Sequence, residues 1–145
     1  MAKFTFKYEA MKKYRSHRLL IAKKELAQLE EHLNGLKGQL QKAVQERGSA
    51  IEGSLRLQAR TADFMWYPQL VEIQTQRLAL LDVEIKHMEG EFTRHARWVA
   101  QLGQELKIVE KLEERQRAAF EAEERNVEKR KMDRWVAERW QRGAK

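Results

Sequence analysis

The chain has 145 residues, 42% of them hydrophobic and 35% charged, with one proline, no cysteine and a formal net charge of +7. The lack of cysteine excludes a disulfide framework and cysteine-ligated zinc. A composition this charged and this poor in loop-forming residues favours long helices over a compact globule, and the length predicts a single domain over residues 1–145.

The first predicted helix covers about residues 4–57. From Leu19 onward its apolar residues recur at alternating steps of three and four, which is the heptad pattern of a coiled coil. Toward the N-terminus the same register passes through Tyr8, Lys12 and Arg15, so the apolar character weakens there. We call the regular part the first seam; it consists of Leu19, Ala22, Leu26, Leu29, Leu33, Leu36, Leu40, Ala43, Arg47 and Ala50.

A chain reversal is predicted at about residues 58–63, and a second helix at about residues 64–140. The segment 58–63 has no heptad pattern, and Thr61 or Asp63 could cap the following helix. Pro68 fits the first turn of that helix, where few backbone donors are needed. The reversal therefore needs no long loop.

The second helix has its own heptad pattern, which we call the second seam. Twelve of its fourteen positions are apolar or aromatic, and beyond Val109 the same register becomes polar while helix-forming residues continue. The second seam consists of Phe64, Tyr67, Val71, Gln74, Leu78, Leu81, Ile85, Met88, Phe92, His95, Val99, Leu102, Leu106 and Val109.

Folding the chain about residue 61 sets the first seam opposite the second. This predicts an all-α fold, a long two-helix antiparallel coiled-coil hairpin, and a monomer. A parallel dimer of extended chains is the competing arrangement, but the short connection and Pro68 argue against it. The second helix overhangs the first, so the basic N-terminus meets a polar, aromatic-rich helix at the open end.

The excess charge lies at one end of the chain. Residues 1–24 hold eight basic residues and one acidic residue, or 8 − 1 = +7, and the remainder is neutral with 21 of each. A basic end favours an acidic protein surface, nucleic acid or anionic lipid as partner. The sequence has no apolar run near the ~20 residues that a membrane span needs, so a soluble, cytoplasmic protein is expected.

Three stretches resemble the flagellar FliJ family. The C-terminal string Glu128-Lys129-Arg130-Lys131-Met132-Asp133-Arg134-Trp135, followed by Ala137 and Arg139, is similar to the family's terminal signature. The opening Met-Ala-Lys-Phe-x-Phe-x-Tyr-Glu-Ala resembles a typical family start, and Trp66-Tyr67-Pro68-Gln69-Leu70 resembles the beginning of the family's second helix. Length, basic charge and hairpin topology match over essentially the whole chain.

The resemblance implies a soluble component of the flagellar type III export apparatus, peripheral to the membrane through its partners. It implies a coiled coil similar to the γ-subunit stalk of rotary ATPases, whose open end enters the hexameric export ATPase FliI and stimulates it. It also implies contacts with the export-gate protein FlhA and with export chaperones. The injectisome counterpart is the YscO family.

Two sets of site residues are predicted. The ATPase-binding set lies at the open end: the resemblance to the family ending implies Lys129, Lys131, Met132, Asp133 and Trp135, and the basic, aromatic N-terminus that meets them adds Phe4, Tyr8, Lys12 and Arg15. The gate-binding set lies toward the turn on both helices and comprises Leu40, Arg47, Leu70, Gln74 and Arg77. Because Leu40 is also in the first seam, a core role is the stronger interpretation for it.

Other chemistry has little support in the sequence. It contains no Gly-x4-Gly-Lys-[Ser/Thr] loop, so the chain is not expected to be a P-loop ATPase. No Ser–His–Asp arrangement can be argued on two helices with few serines, and neither an enzyme nor a cofactor is expected. His87, Glu91 and His95 share a helix face and could bind a metal, although an ion-pair pattern is the commoner meaning, and no metal is expected. Nucleic-acid binding through a bZIP-like basic arm remains an alternative, as does a structural or chaperone coiled coil outside secretion.

Overall fold

The computed structural model describes residues 2–57 and 66–143, and side chains within 2–56 and 68–143. Two long helices make up almost all of these residues: α1 from Glu9 to Leu57 and α2 from Trp66 to Gly143. The described ranges contain no strand. The protein is thus all-α, as expected, and its two long helices are compatible with a helical hairpin.

α1 begins at Glu9, later than the predicted start near residue 4. The Glu9 amide donates to the Phe6 carbonyl at 3.3 Å and the Lys12 amide to the Tyr8 carbonyl at 3.0 Å. Phe6 is buried, so the preceding segment is held by packing in a non-helical conformation. A carboxylate in the first turn also suits the positive end of the helix dipole.

The described part of α1 extends to Leu57, and the described part of α2 extends from Trp66 to Gly143, past the predicted end at about residue 140. Pro68 lies in the first turn of α2, where its missing amide proton does not interrupt the helix. The predicted reversal at 58–63 lies outside the described residues.

The chain forms two compact units, each containing parts of both helices. One unit comprises Leu20–Ala100, and the other Met1–Leu19 with Gln101–Lys145. The expectation of a single domain over 1–145 stays a prediction. None of the helices in the described ranges is both long and apolar enough to span a bilayer.

The unit Leu20–Ala100 has a core made from the two seams. Its buried members are joined by half-buried seam residues, and each buried leucine or isoleucine contributes about 1.5–3 kcal/mol through apolar surface removed from water. The cluster comprises Leu33, Leu36, Ala43, Leu81 and Ile85, with Leu40, Leu78, Met88 and Phe92 packed against it.

Charged pairs flank this core. Lys37 Nζ lies 3.6 Å from Glu89 Oε1, and Arg77 Nη1 lies 3.6 Å from Glu46 Oε2. All four side chains are about half exposed, so each pair contributes at most about 1 kcal/mol. Apolar burial therefore dominates the stability of this unit, and the ion pairs mainly favour one alignment of the helices.

In the unit formed by Met1–Leu19 and Gln101–Lys145, the buried helix residues also occupy heptad positions. They are Leu19, Leu102 and Val109, and Phe6 in the segment before α1 is buried as well. In both units, every predicted seam residue whose side chain is described is buried or half-buried. Phe64 and Tyr67 lie outside the residues with described side chains.

Candidate interaction surfaces

An aromatic contact anchors the N-terminal segment to α2. The Phe4 and Phe120 rings lie 5.5 Å apart with a 51° tilt, and the Arg117 guanidinium lies 5.3 Å from the centre of the Phe4 ring. Tyr8 meets Phe6 edge-on at 5.9 Å. The heptad register of α2 continues through this region, since Phe120 is half-buried. Phe4 therefore packs against α2 of the same chain, at Phe120 and Arg117.

The two basic residues that follow also contact α2. Lys12 Nζ lies 2.6 Å from Glu113 Oε2, and Arg15 Nη1 donates to the Glu105 carbonyl at 3.0 Å. The hydrogen bond to Glu113 raises the pKa of Lys12 above its usual value, opposed by partial desolvation. Lys12, Arg15 and Glu113 are all half-buried. These side chains therefore extend the packing of the two helices with polar contacts where the apolar seam weakens.

The other five residues of the predicted ATPase-binding set occupy a different part of the same unit. Lys129, Lys131, Met132, Asp133 and Trp135 are all exposed on α2, in a stretch where every residue from 125 to 143 is exposed. Met132 is 63% exposed and Trp135 53%. At 1.5 Å per residue, Trp135 lies about 22 Å along the helix from Phe120. The structure thus does not bring the two halves of the predicted set together.

Two further residues join the exposed half. Met132, Trp135, Val136 and Trp140 follow the spacing i, i+3, i+4, i+8 and so lie on one face of α2; we call them the terminal stripe. Val136 is 51% exposed and Trp140 78%. Trp140 and Val136 were not among the predicted site residues, although the spacing from Met132 was a signal that could have found them.

The predicted gate-binding residues divide between core and surface. Leu40 packs against the core cluster, as its seam position suggested. Arg47 and Gln74 are half-buried seam residues, and their Nε and Oε1 atoms are buried with no hydrogen-bond partner among the described residues. Leu70 and Arg77 are exposed, and Arg77 pairs with Glu46.

The exposed members belong to a wider apolar face on α2. Leu70, Ile73, Arg77 and Leu80 recur at steps of three and four, outside the seam; we call them the lateral face. Ile73 is 63% exposed and Leu80 71%. Large apolar side chains this exposed at helical spacing are typical of a contact surface rather than of a solvated helix. The sequence analysis did not predict Ile73 and Leu80, because they lie at outer heptad positions and the prediction used only the seam positions.

Of His87, Glu91 and His95, which share a face of α2, His95 contacts α1. His95 Nε2 lies 3.0 Å from the Ala22 carbonyl oxygen and 3.5 Å from Glu25 Oε2, which makes it a seam residue bonded to α1. In the parts of the chain that the structure describes, no three His, Asp or Glu side chains are grouped to hold a metal ion.

Comparison with known proteins yields no relative: the sequence matches no protein-family model, no curated protein and no solved structure.

Proposed function

We propose that this protein is a component of the flagellar type III export apparatus that binds and stimulates the hexameric export ATPase as a central stalk. The observation that carries the proposal is the exposed end of α2: residues 125–143 remain helical although none of them is buried, and they present the terminal stripe. This end includes the string Glu128–Trp135, which resembles the ending of the FliJ family. In this proposal it acts in the cytoplasm, at the membrane export apparatus.

The proposed architecture is an antiparallel coiled-coil hairpin similar to the γ-subunit stalk of rotary ATPases. Contacts between the two halves of the chain support it. Within each unit, residues that come later in the N-terminal half contact residues that come earlier in α2, as antiparallel packing requires. In Leu20–Ala100 the pairs are Glu25–His95, Lys37–Glu89 and Glu46–Arg77. In the other unit they are Phe4–Phe120, Lys12–Glu113 and Arg15–Glu105.

Cross-linking with a short bifunctional thiol reagent tests this architecture. Cysteines at Lys37 and Glu89 should be linked within one chain, because the native side chains reach each other at 3.6 Å across the two helices and the reagent spans a similar gap. A control pair at Lys37 and Thr75 places the second cysteine two heptads away, about 21 Å along the helix, and should not react. Cross-links that form only between chains would instead favour the parallel dimer.

The terminal stripe would provide most of the affinity for the ATPase ring. Exposed tryptophans and a methionine on a rigid helix can enter apolar pockets with little loss of conformational freedom, and such anchors dominate interface energies. The basic residues around them, including Lys129 and Lys131, would orient the helix against carboxylates that line the hole of the ring. Phe4, Tyr8, Lys12 and Arg15 would support the helix rather than contact the ring, since they pack within their own unit.

Stimulated ATP hydrolysis is the direct test of the ATPase proposal. A matched FliI-like ATPase should assemble into hexamers and turn over faster when the protein is added. Replacing Met132 and Trp135 by alanine should remove most of the stimulation without loss of helix content, because both side chains are exposed. The matched control is Ile73→Ala with Leu80→Ala, which removes similar exposed apolar surface from the lateral face. Unchanged assembly and turnover with the intact protein would refute the proposal.

The lateral face is the proposed contact for the export gate. It retains Leu70 and Arg77 from the predicted set and gains Ile73 and Leu80, whereas Leu40 is part of the core. Binding to an FlhA-like protein should fall with Ile73→Ala and Leu80→Ala and persist with Trp135→Ala. The reverse result would move the gate contact to the other unit. Contacts with export chaperones are also part of the proposal, without an assigned surface.

A further inference from the structure

The end of α2 is amphipathic over three turns. At 100° per residue, the terminal stripe occupies an arc of about 140° of the helix. Its four side chains are between 51% and 78% exposed. Lys129 and Arg139 also fall within this arc, and the rest of the circumference carries charged residues and Gln141, apart from the small side chain of Ala137.

The charges around the terminal stripe are mostly positive. Residues 129–142 contain six basic side chains and two acidic ones, or 6 − 2 = +4; the basic ones are Lys129, Arg130, Lys131, Arg134, Arg139 and Arg142. A helix with tryptophans on one face and arginines and lysines on the other is typical of segments that lie in a lipid–water interface.

Arg139 shows how such a helix would accommodate lipid. This residue falls within the arc of the terminal stripe, and its guanidinium lies 4.9 Å over the Trp135 ring. In a protein groove the guanidinium would need a carboxylate placed opposite it, since an unpaired buried charge is costly. At a bilayer surface its long side chain reaches the phosphate layer while the indole stays at headgroup depth.

We propose that the segment 129–143 binds directly to anionic lipid surfaces, with the terminal stripe inserted at headgroup depth and its basic residues on the lipid phosphates. The attraction of juxtamembrane basic residues to anionic lipid adds to the burial of the two tryptophans. This goes beyond the proposed function, in which partners alone hold the protein at the membrane. Anionic lipid and the ATPase would compete for the terminal stripe, because both would bind the same four side chains.

Vesicle co-sedimentation with the full chain alone tests this, so its result is independent of the ATPase assay. The probes are vesicles of phosphatidylcholine and vesicles that also contain phosphatidylglycerol, at low and high salt. The intact protein should bind the anionic vesicles at least about tenfold more tightly than the neutral ones, and high salt should weaken this binding. Trp135→Ala with Trp140→Ala should lower the anionic partition coefficient by about tenfold or more.

Matched variants separate the segment from other apolar and basic surfaces. Val83→Ala with Ile108→Ala removes exposed apolar surface elsewhere on α2 and should leave vesicle binding unchanged. Lys131→Gln with Arg142→Gln should weaken it clearly more than Lys23→Gln with Lys24→Gln, an exposed pair on α1 with the same charge. Helix content measured by circular dichroism should be the same for all variants, because each changes exposed side chains only.

Three outcomes would overturn the assignment. One is equal binding to the neutral and anionic vesicles, or binding to neither. Another is unchanged binding after loss of both tryptophans. The last is a loss with Lys23→Gln and Lys24→Gln as large as with the α2 pair, which would assign the contact to the basic N-terminus. If Trp135→Ala with Trp140→Ala fails to stimulate the ATPase while the intact protein binds no vesicle, the terminal stripe is a protein contact only.

Discussion

Leu80 and Leu81 allow a sharp test of the seam register, because neighbouring residues of one type have opposite environments. Leu81 is 8% exposed and belongs to the core cluster, whereas Leu80 is 71% exposed on the lateral face. The two Leu→Ala changes alter helix propensity equally. Any difference in stability between them therefore reports packing alone.

The expected costs differ severalfold. Core Leu→Ala substitutions cost about 2–5 kcal/mol. A core formed between two helices lies close to solvent, which places Leu81→Ala near the low end, at about 2–3 kcal/mol. Leu80→Ala should change the free energy of unfolding by less than about 0.5 kcal/mol, as surface substitutions do. For a chain of this size, the Leu81 loss corresponds to a Tm lower by roughly 4–12 °C.

Thermal and urea unfolding followed by far-UV circular dichroism measures both variants against the original chain. The urea midpoint should fall clearly for Leu81→Ala and stay nearly constant for Leu80→Ala, with similar slopes in both. Equal losses would contradict the difference in packing between the two leucines, and a larger loss for Leu80→Ala would show that the heptad register is wrong by one position.

Three further predictions concern stability. Gly38→Ala should raise the free energy of unfolding by about 1 kcal/mol, because the site is mid-helix and an added Cβ meets nothing within 4 Å; a lower urea midpoint would contradict this. Arg47→Leu combined with Gln74→Leu should stabilise the protein by about 1–2 kcal/mol, because it removes two buried polar atoms that have no hydrogen-bond partner among the described residues. A destabilised double variant would show that those atoms are hydrogen-bonded in solution. Lys12→Met should be less stable than the original chain at neutral pH, since the bond to Glu113 raises the pKa of Lys12 and favours the folded state below its usual pKa of 10.5. That difference should shrink as the pH rises through the raised pKa, and a gap that persists in strong alkali would assign the effect to packing.

The helix content and the buried positions could be predicted from the sequence with few errors. Heptad spacing depends only on the helical repeat, so the side chains that share a face are known before any partner is seen. Leu33, Leu36 and Leu81 are buried as that spacing predicts.

The candidate site was less accessible to sequence reasoning. Phe4 and Trp135 belong to one predicted set because the hairpin brings both ends of the chain to its open end, where the resemblance implies ATPase binding. In the structure Phe4 packs on Phe120, whereas Trp135 lies farther along α2 and is exposed. Whether an aromatic residue covers its own chain or remains available depends on which segment lies beside it. Composition carries no information about that neighbour.

The sequence by itself determined two long helices, their apolar faces and the concentration of positive charge in residues 1–24, because these depend on local spacing and counting. Only the tertiary structure decided the start of α1, through the burial of Phe6, and the pairing of Lys12 with Glu113. It likewise separated the supporting half of the predicted site from the exposed half. These features depend on contacts between residues far apart in the chain, which local periodicity cannot specify.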